Sequence, residues 1–469
     1  MTRYYQISYL NILFVLLALS LSLQGLSREV HSSFVEFIPN AQTEVYYLFL
    51  PITTISPPNI SRISIASDGT EGNSGSMESP AISANGRYIA FQSYATNLVE
   101  NDTNCPPDKF CRDIFVHDRQ TGQTQRVSVN SAGVEGNGES QNPSISADGR
   151  YVVFSSYASN LVDGDTNNSQ DIFVHDLQTR QTSRVSVDSN GIAGNDHSAQ
   201  PAISADGRYV AFTSSANNLV HDDNNDYTDI FVHDRQTGQT NHVSVDSNQV
   251  AGNNFSSQPA LSVDGRYVVF TSDASNLVNH DTNGHADVFV HDRQTGQTQR
   301  VSVASDGTEG NDSSLQPAIS ADGRYVCFES YATNLLSTPA LPHEVYVYDL
   351  QTGQVRHVSV ASNGTAGNWA AGSCSLSANG RYVAFASFST NLVSDDTNHA
   401  YDIFVYDQQT RQTRRVSVAS DGTEGNDFSQ WPSISADGRF VTFTSYASNL
   451  VEDDTNDELD IFVKFLGDS

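Results

Sequence analysis

The chain has 469 residues, with 24 Lys+Arg against 54 Asp+Glu and a formal net charge of −30. Lysine occurs only as Lys109 and Lys464, so the chain lacks the clustered cations that hold a phosphate backbone. Nucleic acid and anionic membrane surfaces are excluded as partners, and cations are favoured.

At the N-terminus, the apolar run Ile12–Leu23 is followed by Gly25-Leu26-Ser27 and Arg28. It is too short for a comfortable bilayer span, but it suits the core of a signal peptide with small residues at its cleavage site. Residues 1–27 are therefore expected to be a signal peptide, an uncleaved anchor being the alternative. The mature chain is expected to be exported (periplasmic, cell-surface or secreted), with no membrane span. Residues 28–59 match nothing downstream and read as a linker, with one possible strand at Val45–Leu50.

Self-comparison governs the rest. The string Gly-Arg-Tyr/Phe recurs with glycine at 86, 149, 207, 265, 323, 380 and 438, a period near 58 residues. Such regularity means stacked supersecondary units that cannot bury their faces alone. The second unit predicts four strands, Pro143–Ser146, Tyr151–Ser156, Asp171–Asp176 and Ser183–Val187, with Asp-Gly turn chemistry between the first pair. Tyr-Val-Val-Phe and Asp-Ile-Phe-Val are continuous apolar runs, as in sheets covered on both faces, and no segment has helical periodicity. Four-stranded sheets repeated radially make a β-propeller.

The ring-closing device is also written in the chain. The fourth-strand string (RVSV or HVSV) has six copies starting at 126, 184, 242, 300, 357 and 415, and a seventh, Arg62–Ile65, precedes the first Gly-Arg-Tyr. The last unit ends with its third strand, Asp460–Phe465. The expected fold is all-β: a seven-bladed propeller over 60–466, closed by an N-terminal strand that completes the last blade, with 467–469 as a tail. Pro-Ser-Ile-Ser-Ala-Asp-Gly-Arg-Tyr-Val-Val-Phe (143–154) and Asp-Ile-Phe-Val-His-Asp (171–176) resemble the TolB-type, WD-repeat-like propeller repeat of bacterial exported proteins. The resemblance spans 60–466 and implies a propeller without naming an activity. This chain shows no counterpart to the N-terminal α/β domain of TolB, so a TolB-like partner role is not expected.

In an antiparallel meander, the second-to-third and fourth-to-first connections share a face, and here they are the long ones. In the second unit the former reads Asp163-Gly-Asp165-Thr-Asn167-Asn-Ser-Gln-Asp171. Oxygen side chains at positions 1, 3, 5 and 9 are what Ca²⁺ needs, with Asx turn chemistry as the competing account. The other copies are Glu100, Asp102, Asn104 (with Asp113); Asp223, Asn225, Asp229; Asn279, Asp281, Asn283, Asp287; Asp396, Asn398, Asp402; and Glu452, Asp454, Asn456, Asp460. Unit five has lost the pattern. The fourth-to-first connection carries a Gly-Asn pair in every unit, which suggests a positive-φ turn.

Before each innermost strand stand Ser79, Asn142, Gln200, Gln258, Gln316, Ser373 and Trp431, expected to ring the mouth of the channel. They could grip a protein segment, a peptide or a carbohydrate, or form only a solvated rim. The repeated arginines, Arg87 to Arg439, fall on the opposite face and are expected to pair with carboxylates such as Asp148. His117, His175, His233 and His291 give way to Tyr348 and Tyr406 in later copies, which points to packing or hydrogen bonding rather than metal ligation. Cys105 and Cys111 lie in one loop insert and are expected to pair in an oxidising compartment. Cys327 and Cys374 are left open between a bridge and free thiols. With no recognised catalytic constellation, the expectation is a monomeric, non-catalytic binding or scaffold propeller with Ca²⁺ loops. The alternatives are a carbohydrate-active lyase or hydrolase and a calcium-dependent adhesion module.

Overall fold

The computed structural model describes residues 59–104, 111–221, 223–337 and 341–467. The expected signal peptide, the strand at Val45–Leu50, nearly all of the linker and Cys105 lie outside them. Among the described residues there are 28 strands and no helix, grouped in seven four-stranded antiparallel sheets. Among the described residues no helix is long and apolar enough to cross a membrane.

Blades one to six run continuously, from Ser76–Arg126 to Ala371–Arg415, each pairing its four strands in chain order. Blade seven takes three strands from Ser429–Phe465, and its fourth is Ile60–Arg62. The register is Ile60↔Lys464, Ser61↔Val463 and Arg62↔Phe462.

Two strand boundaries differ from expectation. The second blade's first strand is Ser140–Ile145 and its fourth is Gln181–Arg184. The fourth starts early because the hairpin closes at Asp176↔Gln181. It ends at the arginine because the next residues leave the sheet: Ser186 Oγ donates to Asp171 Oδ1, and Val187 bridges Ala193. The closing strand shifts likewise, to Ile60–Arg62 instead of Arg62–Ile65.

Each blade buries a phenylalanine pair between its second and third strands, such as Phe154 and Phe173 at 6.1 Å. In blade five the second member is Tyr346. Blades dock through a knob on a glycine. Gly149, at φ 76°, would place a Cβ 2.1 Å from the ring of Tyr88 in the preceding blade, so only glycine admits the ring. The same contact joins Gly86 to Phe440 across the closure.

The Gly-Arg-Tyr arginine does not pair with Asp148 as expected. Arg150 Nε and Nη2 reach Asp176 Oδ1 and Oδ2 at 3.0 and 2.7 Å, while Asp148 caps the turn by accepting from the Arg150 N–H. Asp176 presents both oxygens to the guanidinium fork, whereas Asp148 Oδ1 is taken by the Ser146 hydroxyl and the Arg150 N–H. In blade seven Phe465 stands at the aspartate's position, and Arg439 lies over its ring at 5.3 Å.

The repeated histidines act as hydrogen-bonding core residues. Thr182 Oγ1 donates its only proton to Val129 O of the preceding blade, so His175 must donate through Nδ1, 2.8 Å from that hydroxyl. Burial pushes the His175 imidazole down to about 4, keeping it neutral. Blade seven has no such threonine. There Lys464 replaces the histidine and reaches the carbonyls of Val418 and Ala419 at 2.8 and 3.0 Å and Asn59 Oδ1 at 2.8 Å.

Closure is open to direct measurement. Ile60 is only 2% exposed, so Ile60→Ala should cost about 2–5 kcal/mol in urea denaturation. A loss near zero would mean that the closing strand contributes nothing to stability.

Candidate functional site

The long-loop face carries two constellations, the acidic loops and the channel mouth. In the second blade, Asp165 Oδ1 and Asp171 Oδ2 lie 3.0 and 3.1 Å from one guanidinium nitrogen of Arg184, the last residue of the fourth strand. Blade four repeats the clasp around Arg300, with Asp281 at 3.4 Å, Asp287 at 2.9 Å and Glu309 of the following connection at 2.8 Å. Arg126 gathers Asp102, Asp113 and Glu135, Arg415 gathers Asp396, Asp402 and Glu424, and Arg62 of the closing strand gathers Asp454, Asp460 and Glu71. Blades three and five substitute histidine: His242 lies 3.1 Å from Asp229 and His357 lies 3.2 Å from Glu344.

The loop asparagines turn their amides inward as donors. Asn167 Nδ2 donates to Asp171 Oδ2 and to Gly194 O, both at 2.9 Å, and Asn104, Asn225, Asn283, Asn398 and Asn456 do the same in their blades. The structure thus brings positions 3, 5 and 9 together but leaves Glu100, Asp163, Asn279 and Glu452 of position 1 exposed. A calcium ion at the centre of such a loop would meet a guanidinium and amide donors, so in this arrangement the donor set does not fit one.

Three carboxylates against one guanidinium leave excess negative charge. Burial, reinforced by neighbouring carboxylates, pushes Asp102, Asp281 and Asp454 up to about 6. Asp402 is pushed to about 6 by burial against the pull of Ser417 and Arg415.

The Gly-Asn pairs also differ from expectation, since none is a positive-φ turn. A Cβ on Gly136 would sit 3.1 Å from Ala158 and 3.4 Å from Ser128 O, so glycine is needed there for close packing. Asn137 ties the two long connections together, accepting from Ser159 N and donating its own N–H to Asn160 Oδ1. The positive-φ glycines of this connection lie earlier, at Gly133 and its counterparts.

The seven rim residues do converge. Ser79, Asn142, Gln200, Gln258, Gln316, Ser373 and Trp431 line one cavity of about 330 Å³ at the axis, floored by Pro143, Pro201, Pro259, Pro317 and Pro432. Asn142, Gln200, Gln258, Gln316, Ser373 and Trp431 have φ between 49° and 57°, and Glu78 takes that conformation in blade one, whose strand has one extra residue. Non-glycine residues seldom hold this geometry, and seven such positions meeting at one place mark stored strain. The ring is tied laterally: Gln258 N–H donates to Gln200 Oε1 and Gln316 N–H to Gln258 Oε1, both at 3.0 Å. Those backbone donors fix the amide orientation, so the Nε2 groups of Gln200 and Gln258 remain as donors for a ligand.

Two sectors break the sevenfold pattern beside the mouth, and both escaped the sequence reading. In blade one, Gln92 Nε2 donates to Glu78 Oε2 at 2.9 Å, and Arg112 bonds Glu139 and lies 3.6 Å from Glu78. In blade five, buried Glu329 accepts from Ser373 N–H at 3.2 Å and lies 3.6 Å from His343 Nε2. Aligning the seven second strands would have exposed both, since Gln92 and Glu329 stand where the other copies carry Ser155, Thr213, Thr271, Ala386 and Thr444. Cys327 and Cys374 form a disulfide that staples blade five to blade six, with a Cα–Cα distance of 6.3 Å.

No protein-family model matches the chain, and no curated protein does. Solved structures do match. An oligogalacturonate lyase in complex with manganese aligns at 12% identity over 87% of this chain and 93% of its own, with a TM-score of 0.51. The β-propeller domain of the Trilobed protease from Pyrococcus furiosus, described as having an open velcro topology, aligns at 12% identity over 84% and 96%, TM-score 0.50. TolB from Acinetobacter baumannii aligns at 16% identity over 70% and 75%, TM-score 0.37. At these identities the likeness shows a shared propeller fold and no activity.

The clasps set a pH dependence. Between about pH 4 and 6 the folded chain holds protons on Asp102, Asp281, Asp402 and Asp454 that the unfolded chain releases, while the unfolded chain takes up protons on His117, His175 and His291, which burial holds at about 4 in the fold. The two sets oppose, so Asp281→Asn, which removes one stabilising member, should make stability fall more steeply from pH 7.5 to 5 than in the unmodified protein. Below that window stability falls further, because Arg266 holds Asp292 down at about 2 and its protonation breaks the pair. Melting curves in EGTA check the sign. Arg300→Ala, which strands Asp281 and Asp287, should cost about 3–5 kcal/mol in urea denaturation.

Proposed function

We propose that the protein is an exported, non-catalytic binding propeller that takes a polar ligand into the channel mouth of its long-loop face. The observation carrying this reading is a ring in which six cavity-lining residues, Asn142, Gln200, Gln258, Gln316, Ser373 and Trp431, hold positive φ, with lateral bonds between Gln200, Gln258 and Gln316, around a cavity that offers amides and one indole. Strain held at a rim by the surrounding sheets is a device for pre-organising contacts. The free donors suit acceptor-rich ligands, namely peptide carbonyls or sugar oxygens. Export is supported by the Cys327–Cys374 disulfide, a bond that persists in oxidising compartments.

The test uses the two tryptophans of the chain, Trp369 and Trp431. In Trp369→Phe protein, emission comes from Trp431 alone. A panel of short peptides and oligosaccharides should contain members that shift it, and Gln200→Ala with Gln258→Ala should weaken those members at least about tenfold. No shift across the panel would refute the reading, and turnover of a saccharide by the unmodified protein would favour the lyase or hydrolase alternative.

In the same proposal the acidic loops act as arginine-centred clasps that stiffen the face, and calcium is not needed for them. Melting temperatures in calcium and in EGTA should then agree within about 2 °C. A larger rise with calcium, with metal retained on purification, would restore the calcium-loop reading and its adhesion variant.

A further inference from the structure

The blade five–six junction carries an aromatic cluster around an exposed tryptophan. Trp369 occupies a position filled elsewhere by Ser74, Gly138, Asp196, Asn254, Asp312 and Asp427, and its indole is 58% exposed. The fold therefore does not require an aromatic side chain there. Its ring meets Phe388 edge-on at 5.9 Å and 83°, and Phe388 meets Tyr401 at 5.4 Å and 57°. Rings set at such angles leave π faces uncovered, unlike the parallel Phe pairs inside the blades.

On the blade five side, Tyr331 stacks on His343 at 4.4 Å. Beneath them lies Glu329, seated only because the neighbouring blade has a glycine: a Cβ on Gly372 would fall 2.2 Å from Glu329 Oε2. Burial and the Glu329 charge raise the hydroxyls of both Tyr331 and Tyr401, which places the two rings about one carboxylate and keeps their O–H groups protonated.

We infer that Trp369, Phe388, Tyr401, Tyr331 and Glu329 form a binding site for a neutral pyranose glycan, beside the channel mouth and distinct from it. The weakly positive C–H face of a pyranose packs on the negative face of an aromatic ring. Its hydroxyls can donate to Glu329 and exchange hydrogen bonds with the two tyrosines. The five residues include no cation, and the chain carries a net charge of −30, so uronate or sulfated polymers are repelled. The inference shares with the proposed function the assignment of the long-loop face as the binding face, but it uses none of the rim side chains.

The two tryptophans separate the two ideas. In Trp431→Phe protein, neutral oligosaccharides of glucose, mannose, galactose or N-acetylglucosamine should include one that shifts the remaining Trp369 emission. Trp369→Ala, checked by an unchanged melting curve, should weaken that ligand at least tenfold, whereas Trp369→Phe, which keeps a ring, should weaken it less than threefold. Glu329→Gln should reduce binding while leaving Trp369 emission in the free protein unchanged. Three outcomes would overturn the inference. One is equal binding by Trp369→Ala. Another is a glycan signal from Trp431 alone, which would place the sugar in the mouth and leave the proposed function standing. The third is a response to peptides or polyuronate but to no neutral glycan at millimolar concentration.

Discussion

Closure of the ring by three residues, Ile60–Arg62, is the constraint on which the rest depends. The strand supplies the last blade's missing ladder, as the register Ile60↔Lys464 to Arg62↔Phe462 shows. It also supplies chemistry, because Arg62 is the guanidinium of the seventh clasp and lies 2.8 Å from Glu71. A propeller has no central core, and each sheet is buried only by its two neighbours. An open gap would therefore expose the faces of blades one and seven together and leave two unpaired edges. Phe440 on Gly86 packs the junction with blade one, and Lys464, bonded to Asn59 and to the carbonyls of Val418 and Ala419, ties the closed blade to blade six.

The repeat places the same physics at seven positions, and its exceptions are compensated nearby. Arginine in the clasp accompanies a glutamate on the following connection in blades one, four, six and seven, through Glu135, Glu309, Glu424 and Glu71. Where His242 and His357 replace it, that position is Ala251 and Ala366, while blade two keeps Arg184 beside Ala193, so a glutamate accompanies the arginine in four of five blades. Much of the net negative charge sits in these clasps, on the long-loop face, held in place by buried hydrogen bonds.

Departures from the repeat collect on that same face. Glu329, Gly372, His343, Trp369 and the Cys327–Cys374 disulfide all lie at one junction, and Glu78, Gln92 and Arg112 at another. Variation of this kind on a rigid frame is where binding specificity resides.

The sequence by itself determined the number of blades, the four-strand unit, the displaced closing strand and the membership of the channel rim. Period, turn chemistry and apolar runs are local and repeated seven times, so chance resemblance is averaged away. Replacement of the repeated histidines by tyrosine also pointed to packing or hydrogen bonding, and they hydrogen-bond to Thr124, Thr182, Thr240 and Thr298. Only the tertiary structure decided how side chains far apart in the chain meet. Arg184 enters the acidic loop because the fourth strand ends beside it, and Arg150 finds Asp176 because the pleat brings the two strands into register. The Gly-Asn pairs needed glycine for close packing and not for a turn, and two cysteines 47 residues apart in the chain bridge neighbouring blades. Spacing along the chain measures contour length, whereas coordination and pairing depend on distances set by which blade abuts which.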